Sequence, residues 1–345
     1  MIVVNGDEYT ATLTPMQYNG AEVKNNQIVW GAGNLTTTLT VTANNAIAGA
    51  SLYAAWKVDG EVVTNTITSK GVITANTALQ CYHNISADYA NKKIALYVYA
   101  QKDDGEIVWR YTSPEISVNA KNTADVAKAT ATDVTYNGEI QKAIPTVSTN
   151  ESGLQVTGTG TSGAVTLADL EKVYTIGYDE NSDFVNVTEK PITITLTPKS
   201  SAYKGSITAK YEIKPMKLAQ GQYGSRMTAT LKKTTFKYNG NSTGTVKVLK
   251  SDIELIDSKT KADLSNYLAA DKNGYVNVAK NANATYISLI FGVPTTGNKN
   301  YKIVGGSESS ESGRQIVSTN ILEVEARDLS TVSVTITPKR GTNTF

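Results

Sequence analysis

Covalent catalysis needs a nucleophile and a base, and this chain of 345 residues carries one cysteine and one histidine. They stand two positions apart, Cys81-Tyr82-His83. In a strand such positions share a face, which is the placement a thiol–imidazole pair requires. No glycine-rich elbow and no oxyanion loop accompanies them, so Cys81 reads as a small core residue and no catalytic residue is assigned. The same two residues fall short of the ligand count of a His/Cys metal centre. Asp179, Asn181 and Asp183 alternate side-chain oxygens in the manner of a calcium loop. The glycine such a loop needs next is Phe184, and its twelfth position is Lys190 instead of glutamate. A polar β-turn is expected there, with calcium bridging strands or domains as the alternative; no cofactor is expected.

Acidic residues are spread along the chain, and no region concentrates them with aromatics as a glycosidase cleft would. Gly158-Thr159-Gly160-Thr161-Ser162-Gly163 lacks the lysine and the following helix of a phosphate loop and is expected to be a flexible hairpin tip. An enzyme is therefore not expected. A carbohydrate-binding surface would present aromatics on one sandwich face. Trp30, Trp109 and Tyr111 are the candidates, the last two alternating after Asp104-Gly105; packing in the core or at an edge is the competing reading. The sequons at Asn34, Asn84, Asn150, Asn186, Asn241 and Asn283 matter only in a eukaryotic secretory pathway.

The 33 basic and 31 acidic residues leave a net charge of +2, and no basic stripe is interleaved with aromatics. A nucleic-acid partner is thereby excluded. No apolar run approaches the roughly 18 residues of a membrane-spanning helix, so no membrane insertion is expected. Met1-Ile2-Val3-Val4-Asn5-Gly6-Asp7 has neither the basic nor the apolar region of an export signal. It reads as a native start or as a chain whose signal has been removed.

The elements that must carry these residues are strands. Thr, Val, Ile and Tyr dominate, with 19 Tyr against 4 Phe and 3 Trp. Ile192, Ile194 and Leu196 alternate with threonines, as do Val332, Val334 and Ile336 with Ser333, Thr335 and Thr337. Ile207, Ala209, Tyr211 and Ile213 keep the same period, and so do Ile94, Leu96 and Val98. Each predicts a strand with one buried face, the antiparallel signature. Asp59-Gly60, Asp104-Gly105, Asn239-Gly240 and Asn273-Gly274 supply turns. The fold class is all-β, built of antiparallel β-sandwiches. Short helices are expected at 167–173 and 261–270. Trp56 is placed as a central-strand core residue, and Tyr89 as a corner tyrosine whose hydroxyl ties its loop to the backbone.

Tyr-Asn-Gly occurs at Tyr18, Tyr136 and Tyr238, each time after a Thr-rich strand pattern. A phrase recurring about every hundred residues predicts tandem small domains. Phe184-Val185-Asn186-Val187 aligns with Tyr275-Val276-Asn277-Val278, Tyr203-Lys204 with Tyr301-Lys302, and 207–218 with 321–329. The expected domains are 1–118, 119–214 and 215–345. Phe345 then falls where Phe236 sits, so a further repeat is expected to begin at the end.

The run Thr135–Val147 with its Tyr-Asn-Gly opening, then Val173-Tyr174-Thr175-Ile176-Gly177-Tyr178, then 191–213, resembles the bacterial immunoglobulin-like repeats of the MBG type. Ala202 replaces the usual asparagine of the family's closing phrase. The resemblance is full for the second unit, partial for the third, and limited to the opening phrase for the first. It implies tandem Ig-like sandwiches in an elongated array, in a non-enzymatic structural or adhesive protein. Such repeats occur in phage structural proteins and in bacterial surface adhesins. A bacteriophage virion component is the first expectation, on the virion surface as capsid decoration, head fibre or tail protein. A secreted adhesin or surface-layer component at the bacterial cell surface is the second, and a carbohydrate-binding module the third. The implied partners are other virion or surface structural proteins in a symmetric multi-copy assembly, and a host glycan or protein.

Overall fold

The computed structural model describes residues 2–5, 8–63, 73–218, 227–237, 245–268, 270–281, 284–292, 298–303, 310–317 and 323–325, with 330, 333 and 335 singly. The chain is all-β, a set of several antiparallel sheets with sandwich-like packing. It divides into two compact units. One comprises Met1–Thr132, Ile144–Glu180 and Thr193–Lys210; the other comprises Asp133–Ala143, Asn181–Ile192 and Tyr211–Phe345. Residues 119–214, expected as one domain, contribute to both.

In the first unit two sheets face each other. One is built around Gly33–Ala43, which pairs antiparallel with Tyr9–Leu13 and Gln17–Tyr18, and with Ala78–Ile85. The other runs Gln27–Val29, Ile116–Asn119, Lys93–Lys102, Ala50–Val58, Glu61–Val63, with Ile107–Thr112 also on Lys93–Lys102. Within these two sheets, and among the described residues, only the contact of Gln27–Val29 with Ile116–Asn119 is parallel. Alternation decides what is buried: Leu35, Thr37, Leu39 and Val41 point inward from one sheet, and Leu52, Ala54, Trp56 and Val58 from the other. Trp56 is fully buried, as its position predicts, and its indole N–H donates to the Tyr82 carbonyl (3.0 Å). Tyr89 differs from expectation. Its hydroxyl makes no hydrogen bond among the described residues, and its ring instead packs edge-on against His83. Ser86 closes that corner by accepting from the Asp88 N–H.

The remaining strands of this unit include Ala127–Thr130 against Thr146–Thr149 and a three-stranded sheet of Tyr174–Tyr178, Ile192–Pro198 and Ile207–Tyr211. The alternation expected over 192–196 and 207–211 is present. Leu167–Val173 is a helix with a reciprocal capping box between Thr166 and Asp169. The glycine loop before it is no free hairpin tip: Thr159 donates through both its backbone N–H and its hydroxyl to Asp169.

The second unit holds a four-stranded antiparallel sheet of Thr245–Leu249, Tyr275–Asn281, Ala284–Gly292 and Ser310–Val317. Met227–Leu231 pairs antiparallel with Ile253–Asp257. The turn or two of helix expected over 261–270 is reduced to one 3-10 turn, Ser265–Tyr267, preceded by a bridge from Asp263 to Ile256. Lys261 has a φ of 60°, which a helix cannot accommodate, so tertiary pairing overrides local propensity.

Short parallel contacts recur with one register. Lys121 and Asn122 pair with Tyr203 and Lys204, as Met216 and Lys217 do with Tyr301 and Lys302. Val134 and Thr135 pair with Ile213 and Lys214, as Phe236 and Lys237 do with Val324 and Glu325. The Tyr-Asn-Gly phrases differ. Asn19 and Gly20, both at positive φ, make a tight turn between Gln17–Tyr18 and Ala21–Glu22. Around Gly138 no hairpin forms. The copy at 238–240 and, apart from Ser333 and Thr335, the alternation at 332–336 lie outside the described residues.

Candidate functional site

Cys81 and His83 both face the core of the first sandwich and are fully buried. Burial pushes the Cys81 thiol up to about 11, so thiolate is scarce at neutral pH. Burial also lowers His83 to about 4, leaving it neutral, and neither ring nitrogen has a hydrogen-bond partner among the described residues. The imidazole is held by rings instead, tilted on Trp56 at 5.6 Å and edge-on to Tyr89 at 4.7 Å. These two side chains are packed as apolar volume.

The Asp183 carboxylate is engaged by its own loop. It accepts from the Asn186 N–H (2.9 Å), the Asn186 side-chain amide (2.7 Å) and the Val185 N–H (2.8 Å). Those bonds, Asn186 foremost, hold it below the usual carboxylate range. The Asp179 N–H bonds the Thr193 carbonyl, and Asn181 belongs to the other unit. Among the described residues no group of three or more His, Cys, Asp or Glu is arranged to hold a metal ion.

The three candidate aromatics are not brought to one open face. Tyr111 is buried, and Trp109, half-buried, packs against Tyr9 at 5.3 Å. Trp30 is buried where 27–30 meets 199–205. Its indole N–H donates to the Ala202 carbonyl (2.5 Å), and its ring meets Tyr203 edge-on at 5.4 Å and 76°. Lys121 Nζ lies 4.1 Å from the indole centroid and bonds Glu151 (2.7 Å), which also accepts from the Tyr203 hydroxyl. Asn91 adds a bond to the Ser201 carbonyl (2.7 Å). Both the indole N–H and the charged pair are thus satisfied as they leave water.

The second unit contains a counterpart. The Tyr136 ring meets Tyr301 edge-on, at 5.5 Å and 76°. The Tyr301 hydroxyl donates to buried Asp257 (2.9 Å) and shares a 2.6 Å bond with Thr260. Asn300, also buried, accepts from the Val187 N–H and donates to the Asn186 side chain. Gly138 lies so close to Thr260 that a Cβ would come within 2.6 Å of its methyl group, and its φ is +82°. Only glycine fits there. Tyr203 and Tyr301 already stand together in the sequence alignment; the aromatic each receives, Trp30 or Tyr136, carries no local signal of its partner.

A further set escaped sequence reasoning. Tyr53 and Tyr99, both half-buried, and buried Tyr97 form a stack on the sheet containing Ala50–Val58 and Lys93–Lys102. Tyr97-Val98-Tyr99 within an alternating strand was the available signal. Compared with family models and with curated proteins, the chain matches none.

Proposed function

We propose that this chain is a non-enzymatic structural and adhesive protein, displaying tandem Ig-like sandwiches on the surface of a bacteriophage particle. The observation that carries the tandem reading is the recurring parallel register, with Lys121–Tyr203 matching Met216–Tyr301 and Thr135–Lys214 matching Lys237–Glu325. Two sequence segments that pair in one register around the same tyrosines are what a duplicated module leaves behind. The edge-on aromatic pairs support it further, since each joins an aromatic of one module to the aligned tyrosine of the next. The lone cysteine and histidine, buried and displaced from reactive protonation states, favour a chain whose work is mechanical. The virion placement rests on the resemblance of residues 135–213 to repeats that phage structural proteins share. Symmetric copies would convert weak contacts into avidity.

Cryo-electron microscopy of particles from the source material tests it. Copies of the chain in a symmetric array on a capsid or tail are expected. Location on a bacterial envelope, or a free chain, would overturn the virion assignment.

A further inference from the structure

The two outer faces of the N-terminal sandwich differ in kind. On Gly33–Ala43 and Tyr9–Leu13 the outward positions are Thr36, Thr38, Thr40, Thr42, Thr10 and Thr12, a neutral wet surface. On the opposite sheet the outward positions carry tyrosines. Tyr53 lies directly across from Tyr99, with rings 5.2 Å apart and 19° from parallel. Tyr97, itself buried, also stacks with Tyr99, at 5.0 Å and 21°. Lys57 Nζ closes the stack, 4.0 Å from the Tyr97 centroid. Arg110 stands across from Tyr99 on the neighbouring strand, and exposed Val62 across from Lys57. Solubility asks nothing of this face that threonine would not meet, as the other sheet demonstrates.

The chemistry of the ladder is specific. The hydroxyls of half-buried Tyr53 and Tyr99 make no hydrogen bond to a described residue, so each keeps a donor and acceptor for a ligand, while Tyr97 is buried and backs the stack. Partial burial, and then the neighbouring Tyr53 and Tyr97 phenols, push Tyr99 above its ordinary value, keeping it a donor. Lys57 and Arg110 have no ion pair among the described residues. Because the rings lie against one another, the face of the central ring is closed to an incoming base. Single-stranded nucleic acid is bound by stacking on open rings and by many phosphate contacts, and neither is offered here. Two phenol hydroxyls flanked by two cations match hydroxyl-rich residues bearing anionic groups. We propose that the outer face formed by Tyr53, Tyr99, Lys57 and Arg110, backed by the buried Tyr97 ring, binds an acidic polysaccharide, carboxylated or sulfated. The site stands whether or not the chain is carried on a particle.

Fluorescence anisotropy of the intact chain with labelled polygalacturonate, dextran sulfate, neutral dextran and poly(dT) tests this at physiological ionic strength. Binding to polygalacturonate or dextran sulfate but not dextran is expected, and which of the two binds assigns carboxylate or sulfate. Arg110→Gln is expected to weaken binding about tenfold through loss of a charge-assisted contact. Tyr99→Phe, which keeps the stack and removes one hydroxyl, is expected to weaken it about fivefold. Lys128→Gln, on the exposed strand Ala127–Thr130, is expected to change nothing. The proposal is overturned if no acidic glycan binds, if dextran or poly(dT) binds as tightly, or if the Lys128 variant loses as much as the Arg110 variant. Unchanged affinity in both Tyr99→Phe and Arg110→Gln, with near-ultraviolet circular dichroism preserved, overturns it too.

Discussion

His83 is a titratable side chain sealed among rings, and it makes the N-terminal sandwich sensitive to acid. Its pKa is lowered by burial from 6.5 to about 4, so between those values the unfolded chain binds a proton that the folded chain does not. Stability contributed this way is complete above 6.5 and is lost as pH falls toward 4, by on the order of 3 kcal/mol. Urea unfolding followed by tryptophan fluorescence should show that slope, and His83→Leu should flatten it. Gly138 makes a second, independent prediction. Gly138→Ala puts a methyl group into Thr260 at a positive φ and is expected to cost about 1–3 kcal/mol. Adding Thr260→Ser, which removes the opposing methyl and keeps the hydroxyl bonded to Tyr301, should recover part of the loss in the same unfolding assay. Residues of this kind were partly legible in sequence. The burial of Cys81 and Trp56 follows from strand alternation, whereas the closeness of Gly138 to Thr260 joins positions far apart in the chain and leaves no local trace.

At the scale of elements, period-2 patterns and turn residues carried most of the information. Ile192–Pro198 and Ile207–Tyr211 bury the residues their alternation selects, and Asp59-Gly60 turns Ala50–Val58 into Glu61–Val63 with both residues at positive φ. What was not legible is pairing that crosses long stretches of chain. The expected helix at 261–270 gives way because Leu264 bonds back to Leu255, and Asp263 caps Ser265 in place of continuing a helical turn. Tyr-Asn-Gly is one phrase with two described structures, a hairpin turn at Asn19-Gly20 and a loop against Thr260 at Gly138. The local sequence permits positive φ; the neighbours decide its use. Trp30 shows how much one such contact holds. Trp30→Ala removes the indole from Ala202, Tyr203 and Lys121 together, and is expected to destabilise the unit by about 3–5 kcal/mol. A chemical-denaturation midpoint indistinguishable from the parent would show that this contact carries no load.

At the scale of the whole molecule, the all-β class follows from composition and turn spacing, and the alignment of Tyr203-Lys204 with Tyr301-Lys302 is matched by a common pairing register. The candidate binding residues were less legible. Trp30, Trp109 and Tyr111 are rare or conspicuous in sequence, and each is drawn into packing because large aromatics gain most from burial. The tyrosines left on a sheet face are ordinary members of an alternating strand. On the function proposed above, the chain would be a tandem set of separately folding sandwiches whose role is to bear and display. Stretching the intact chain between two handles in an optical trap tests this. Three discrete unfolding events are expected, each releasing on the order of 100 residues, roughly 35 nm of contour. A single event releasing the whole chain, or a featureless extension without discrete steps, would contradict it.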